Sequence, residues 1–91
     1  MTLVGARFAV RVMVTDVWDQ VFLAVEPTGT VAELKRRALA QALKRTPVRL
    51  ADYVVKFRGA QVLDESTTLL ALGAVANSPF IIVPARRQPV R

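Results

Sequence analysis

Neither cysteine nor histidine occurs among the 91 residues. That double absence removes disulfides, thiol nucleophiles, imidazole bases and the usual zinc ligands together. The fold must be held by its core alone, and cysteine pairing gives no reading of redox compartment. Aromatic residues make up only 7% of the chain, too few for a platform of basic and aromatic side chains that stack nucleobases. No apolar run approaches the roughly 18 residues of a membrane-spanning helix. The four glycines are Gly5, Gly29, Gly59 and Gly73. No two are adjacent, and none has the spacing of a phosphate-cradling loop. Residues 1–6 lack a basic patch and a signal-peptide layout, so a soluble, cytoplasmic protein is expected.

Acidic residues are scarce and unevenly placed. The formal net charge is +6. Up to Leu34 there are two cations, Arg7 and Arg11, against Asp16, Asp19, Glu26 and Glu33. The stretch 35–58 reverses this, with Lys35, Arg36, Arg37, Lys44, Arg45, Arg49, Lys56 and Arg58 against Asp52 alone. After Glu65 there is no acid, and Arg86, Arg87 and Arg91 close the chain. Such asymmetry suits acidic partners, whether a protein face, nucleic acid or anionic lipid, or else simply keeps the protein in solution. Arginine outnumbers lysine ten to three, which with the high Ala and Val content points to a GC-rich bacterial genome.

What is plentiful is apolar residues, 53% of the chain. That is ample for a packed interior, and the length suits one domain. Residues 7–15 alternate strictly, with Phe8, Val10, Val12 and Val14 on one side, which is strand periodicity. A turn at Thr15-Asp16 or Trp18-Asp19 leads to a second alternating strand ending at Glu26, with Val21, Leu23 and Val25 on one face. Trp18 is expected to cap the core rather than to anchor a partner. Pro27-Thr28-Gly29 is loop chemistry. Thr30-Val31-Ala32-Glu33 fits a capping box, so a helix is expected over 31–43, with Lys44 and Arg45 at its end and Pro47 stopping it. Its apolar half holds Val31, Ala32, Leu34, Ala38, Leu39, Ala42 and Leu43. Lys35 falls inside that half, either snorkelling outward or paired with a carboxylate. A third strand over 53–58, a Gly59-Ala60 turn, a short strand over 61–63, one helical turn closed by Gly73 and a last strand over 80–83 complete the order. This places residues 1–6 as an extension, 7–84 as the domain and 85–91 as a basic flexible tail.

Three segments in this order resemble the ubiquitin-like, or β-grasp, family. They are Val25-Glu26-Pro27-Thr28-Gly29-Thr30-Val31-Ala32-Glu33-Leu34-Lys35, then Phe57-Arg58-Gly59-Ala60-Gln61-Val62-Leu63-Asp64, then Thr68-Leu69-Leu70-Ala71-Leu72-Gly73-Ala74-Val75. The resemblance covers roughly residues 8–83 and fits least well over 40–52. It implies an α+β fold with a mixed four- to five-stranded sheet and one helix packed across it. It also implies a Lys35–Asp64 ion pair, structural in role beside Thr30 and Glu33. Ubiquitin and the bacterial sulfur carriers act through a C-terminal Gly-Gly, and this sequence contains none. A modifier or sulfur carrier is therefore disfavoured. Relatives without that ending include small bacterial proteins linked to type VII secretion and subunits of multicomponent monooxygenases.

No set of residues meets the needs of catalysis, and no cofactor or metal is expected. Asp64-Glu65 is the one adjacent carboxylate pair and sits in loop chemistry, and no nucleophile has a base within its own motif. Function then falls to surfaces. With Val12, Leu23, Phe57 and Ile82 facing the helix, the alternates Arg11, Met13, Phe22, Ala24, Val54, Lys56, Arg58, Ile81 and Val83 face away. In ubiquitin that outer face carries an apolar patch, and Lys56 stands where the patch would have a central aliphatic residue. A partner-binding set of Arg11, Met13, Phe22, Lys56, Arg58, Ile81 and Val83 is expected, apolar area edged by cations. The alternatives are nucleic-acid or acidic-partner binding through the region from Lys35 to Arg58 with the tail, and self-association along the Phe22-bearing edge.

Overall fold

The computed structural model describes residues 7–44 and 49–85. The expected extension over 1–6, residues 86–91 of the expected tail over 85–91, and residues 45–48 of the basic loop lie outside the described residues. Seven elements follow in order: β1 (Phe8–Val14), β2 (Asp19–Val25), α1 (Val31–Ala42), β3 (Tyr53–Phe57), β4 (Ala60–Gln61), α2 (Leu69–Leu72) and β5 (Pro79–Pro84), with a 3₁₀ turn at Leu50–Asp52 before β3. They form one five-stranded sheet in the order β2-β1-β5-β3-β4. Only β1 and β5 run parallel; the other neighbours are antiparallel. With α1 across one side this is the α+β, β-grasp arrangement the resemblance implies.

The period-two pattern decides which side of the sheet is covered. Val10, Val12, Val14, Val21, Leu23, Val25, Val55, Phe57, Phe80 and Ile82 are all buried. They meet Val31, Leu34, Ala38 and Leu39 of the helix in one core. A side-chain period of two against one of 3.6 lets a flat layer and a rod share these positions without either changing register. Among the described residues, no helix is long and apolar enough to cross a membrane.

The helix is held at its start by its own cap and by a loop. Thr30 Oγ accepts from the Glu33 N–H at 3.2 Å. The N–H groups of Val31 and Ala32 donate to the Thr67 and Glu65 carbonyls at 3.1 and 2.9 Å. These bonds use the donors a helix N-terminus otherwise leaves unpaired. The expected reciprocal bond from Glu33 is replaced by a 3.9 Å approach to Arg36. Ala32 is exposed, not part of the buried stripe. The helix ends at Ala42, one residue before the expected Leu43.

Two turns differ from the sequence expectation for backbone reasons. Phe57 pairs with Ala60, so Arg58 (φ 56) and Gly59 (φ 84) form a two-residue hairpin loop. Both central residues take positive φ, as the twist of a tight hairpin requires. This moves the short strand forward to Ala60–Gln61, where 61–63 is expected. The β1–β2 loop spans the four residues between Val14 and Asp19, and Trp18 closes it at φ 50. Off the strand path, its side chain is 76% exposed, so it does not cap the core.

Candidate docking face

Covering one side of the sheet leaves the other open, and strand register sets what lies together there. Met13 is opposite Gln20 on β2 and Ile81 on β5. Ile81 is opposite Lys56 on β3, and Lys56 is opposite Gln61 on β4. One row therefore crosses the whole sheet as Gln20, Met13, Ile81, Lys56 and Gln61. Beside it Phe22 faces Arg11, and Arg11 faces Pro79. On the other flank Val54 faces Val83. Phe22 is 59% and Ile81 42% exposed; Lys56 is exposed, and Arg11, Met13 and Val83 are half-buried.

Six of the seven expected partner-binding residues come together on this face. Arg58 does not. Its turn carries it off the strand alternation, and its guanidinium carbon lies 4.9 Å from the centroid of the Phe57 ring. Phe57 faces the helix and stacks on Phe80 at 4.8 Å, so the cation is held against a core ring by cation–π attraction. Arg11 Nε donates to the Asn77 carbonyl at 3.4 Å, and no carboxylate among the described residues pairs with its guanidinium.

The expected Lys35–Asp64 pair is corrected to Lys35–Glu65. Lys35 is buried, as its place on the apolar side of the helix demands. Its Nζ reaches Glu65 Oε1 at 2.8 Å and Oε2 at 3.0 Å, and donates to the Tyr53 carbonyl at 2.9 Å. Asp64 is engaged elsewhere. Its carboxylate accepts from the backbone N–H of Ser66 at 3.0 Å and from the Ser66 hydroxyl. Those hydrogen bonds favour the ionised form and lower its pKa. This is an Asx turn, which occupies the shorter acid and leaves the longer one to span to the helix.

A second clasp ties the β1–β2 loop to β3. The Tyr53 hydroxyl donates to Asp16 at 2.6 Å. That bond, then burial, then the negative charges of Asp16 and Asp52 raise its pKa from 10.0 to about 12. Tyr53 is the one tyrosine in the chain, so its absorbance near 295 nm reads it alone. A titration midpoint near 12 is expected, falling toward 10 in Asp16→Asn; a wild-type midpoint near 10 would show the clasp does not hold in solution. Because the folded state keeps the proton more tightly, the clasp's contribution to stability is complete below pH 10. It is lost as pH rises toward 12.

One depression lies on the helix side, between the end of β2 and α1, lined by Arg7, Glu26, Glu33 and Arg37 over Val25, Leu34 and Leu69. Its charges are already engaged. Arg7 approaches Glu26 at 3.6 Å, Glu33 approaches Arg36, and Arg37 donates to the Ala24 carbonyl at 3.0 Å. Among the described residues every buried side-chain nitrogen and oxygen has a partner. The open sheet face remains the candidate site.

No family model and no curated protein matches the sequence. Solved structures do match in fold. The chain is similar to a ubiquitin from Caldiarchaeum subterraneum, with a TM-score of 0.72 at 18% identity, over 92% of this chain and 100% of that one. It is also similar to the ubiquitin-like domain of an Arabidopsis thaliana protein, with a TM-score of 0.70 at 19% identity, over 93% of this chain and 84% of that one. At these identities the likeness shows the fold, which is ubiquitin-like.

Proposed function

We propose that this chain is a non-catalytic protein-interaction module of ubiquitin-like fold that docks a protein partner through its open sheet face. The observation that carries this reading is the row Met13–Ile81–Lys56, with Phe22 and Val83 beside it, on the side of the sheet that no helix touches among the described residues. An exposed apolar strip with polar and cationic borders has the anatomy of a docking surface. The fold supports the reading because the other side is filled, the helix N-terminus is satisfied by loop carbonyls, and the buried ion pair is closed.

A phosphate-tracking surface has less support, because the basic run does not form one patch. Lys35 is buried against Glu65, Arg36 lies beside Glu33, Arg37 is tied to Ala24, and Arg58 stacks on Phe57. Residues 45–48 and the tail lie outside the described residues.

The test pairs Ile81→Asp with Lys56→Glu. Both residues are exposed, so the double variant should melt within about 1 kcal/mol of wild type. A partner isolated by crosslinking to the wild-type chain should bind the variant at least tenfold more weakly by calorimetry. Unchanged affinity in a folded double variant would remove the open face from the reading.

A further inference from the structure

The charge on the open face names the chemistry of what docks there. We infer that the occupant is a protein segment carrying two carboxylates on either side of an apolar side chain, the carboxylates meeting Lys56 and Arg11 and the apolar group seating on Met13 and Ile81. This rests on the docking reading above and goes beyond it by specifying the partner.

Every outward position of the five strands is identified by register. They are Ala9, Arg11 and Met13 on β1; Gln20, Phe22 and Ala24 on β2; Val54 and Lys56 on β3; Gln61 on β4; and Pro79, Ile81 and Val83 on β5. That set contains two cations and no acid. Among the described residues, no carboxylate lies within ion-pair distance of either Lys56 or Arg11. Five of the seven acids are engaged elsewhere: Glu65 on Lys35, Asp64 on Ser66, Asp16 on Tyr53, Glu26 on Arg7, Glu33 beside Arg36; of the other two, Asp19 is opposite Val14 on the core side of β2, and Asp52 lies in the turn before β3. An apolar partner covering this face would strip water from Lys56 in the middle of the row and offer nothing in return, a desolvation cost that selects against it. A carboxylate at that position converts the same residue from an obstacle into an anchor.

The geometry fixes the spacing. Lys56 and Met13 share a row two strands apart, and Arg11 lies two residues along β1 from Met13. Strand separation and rise put the Lys56 and Arg11 backbones about 12 Å apart on the diagonal. Ile81 and Met13 lie between them. A helix presents side chains at that distance about seven or eight residues apart on one face, and an extended segment about four apart. Nucleic acid fits less well, because Met13 and Ile81 between the two cations are aliphatic, and Phe22 beside Arg11 is a single aromatic where stacking of successive bases needs several.

The test is selection of a phage-displayed library of random 12-residue peptides on the intact chain. Binding of the selected peptides is then mapped by amide chemical shifts. The selected sequences should carry two Asp or Glu flanking an apolar residue, give shifts centred on Met13, Lys56 and Ile81, and bind Lys56→Glu at least tenfold more weakly. Changing the peptide acid to Lys should restore affinity toward Lys56→Glu, and amide spectra of that variant check that it is folded. Neutral apolar peptides mapping to the same residues would overturn the acidic chemistry while leaving the docking face standing. Peptides mapping elsewhere, no peptides at all, or tighter binding of a single-stranded oligonucleotide of similar length to the same residues, would overturn both.

Discussion

Replacing Glu65 with alanine is expected to destabilise the domain by about 2–3 kcal/mol, although the residue is far from the centre of the core. The loss comes from what Glu65 leaves behind. The Lys35 side chain is only 5% exposed, and its ammonium has two partners, the Glu65 carboxylate and the Tyr53 carbonyl. Without the carboxylate a nearly buried charge keeps one neutral acceptor, and removing one side of a buried pair costs more than the pair contributes. Glu65 is itself 26% exposed, so water can enter the gap, which places the effect below that of a fully enclosed pair. In a domain of this size it corresponds to a melting point lower by about 10–20 °C.

Two controls separate the charge from the loop that carries it. Lys35→Met removes the charge and keeps the volume, and the freed carboxylate can hydrate, so it should stay within about 1 kcal/mol of wild type. Combining it with Glu65→Ala should recover stability that Glu65→Ala alone loses, a coupling that a double-mutant cycle in urea reads directly. Asp64→Ala removes only an exposed Asx turn and should cost well under about 1 kcal/mol. If Asp64→Ala costs as much as Glu65→Ala, or if Lys35→Met does nothing to rescue the latter, the buried pair is not as described.

This pair also shows where sequence reading reaches and where it stops. The helical wheel alone places Lys35 among apolar neighbours, so a buried ammonium in search of an anion is legible. Which of two adjacent carboxylates answers it is decided by Ser66, because an Asp two residues before a Ser closes an Asx turn on itself. That signal is in the sequence, but the resemblance to the family points to Asp64. The inner and outer faces are legible from strict alternation for Arg11, Met13, Phe22, Ala24, Val54, Lys56, Ile81 and Val83, while Ala9, Gln20, Gln61 and Pro79 join the outer face only through register and strand ends. Arg58 and Trp18 are not, because alternation holds only inside a strand. Both sit where the chain adopts positive φ, and a left-handed residue leaves the plane its neighbours define. The short strand is displaced for the same reason, since the position of a tight turn is set by backbone twist rather than by hydrophobic pattern.

Phe80→Ala should be more damaging than the loss of Glu65, at about 3–5 kcal/mol. Phe80 is 1% exposed on the central strand β5. It lies opposite Val12 on one side and Phe57 on the other, and it stacks on the Phe57 ring at an interplanar angle of 28°. Its removal opens a cavity where three strands and the helix meet, and leaves Phe57 without its aromatic neighbour. Against a total of about 5–15 kcal/mol for a natural domain, that fraction is enough to populate unfolded chains at body temperature. Urea melts on Phe80→Ala and Phe80→Leu measure it, the leucine recovering most of the volume and losing less. The adjacent residue supplies the decisive contrast. Ile81 points the other way, so Ile81→Asp should weaken partner binding while the melt barely moves, whereas Phe80→Leu should shift the melt while the folded fraction still binds. Period-two geometry requires that these neighbours have opposite phenotypes. An Ile81→Asp variant that unfolds as readily as Phe80→Ala would mean that both sides of the sheet are covered, and the open face would not exist.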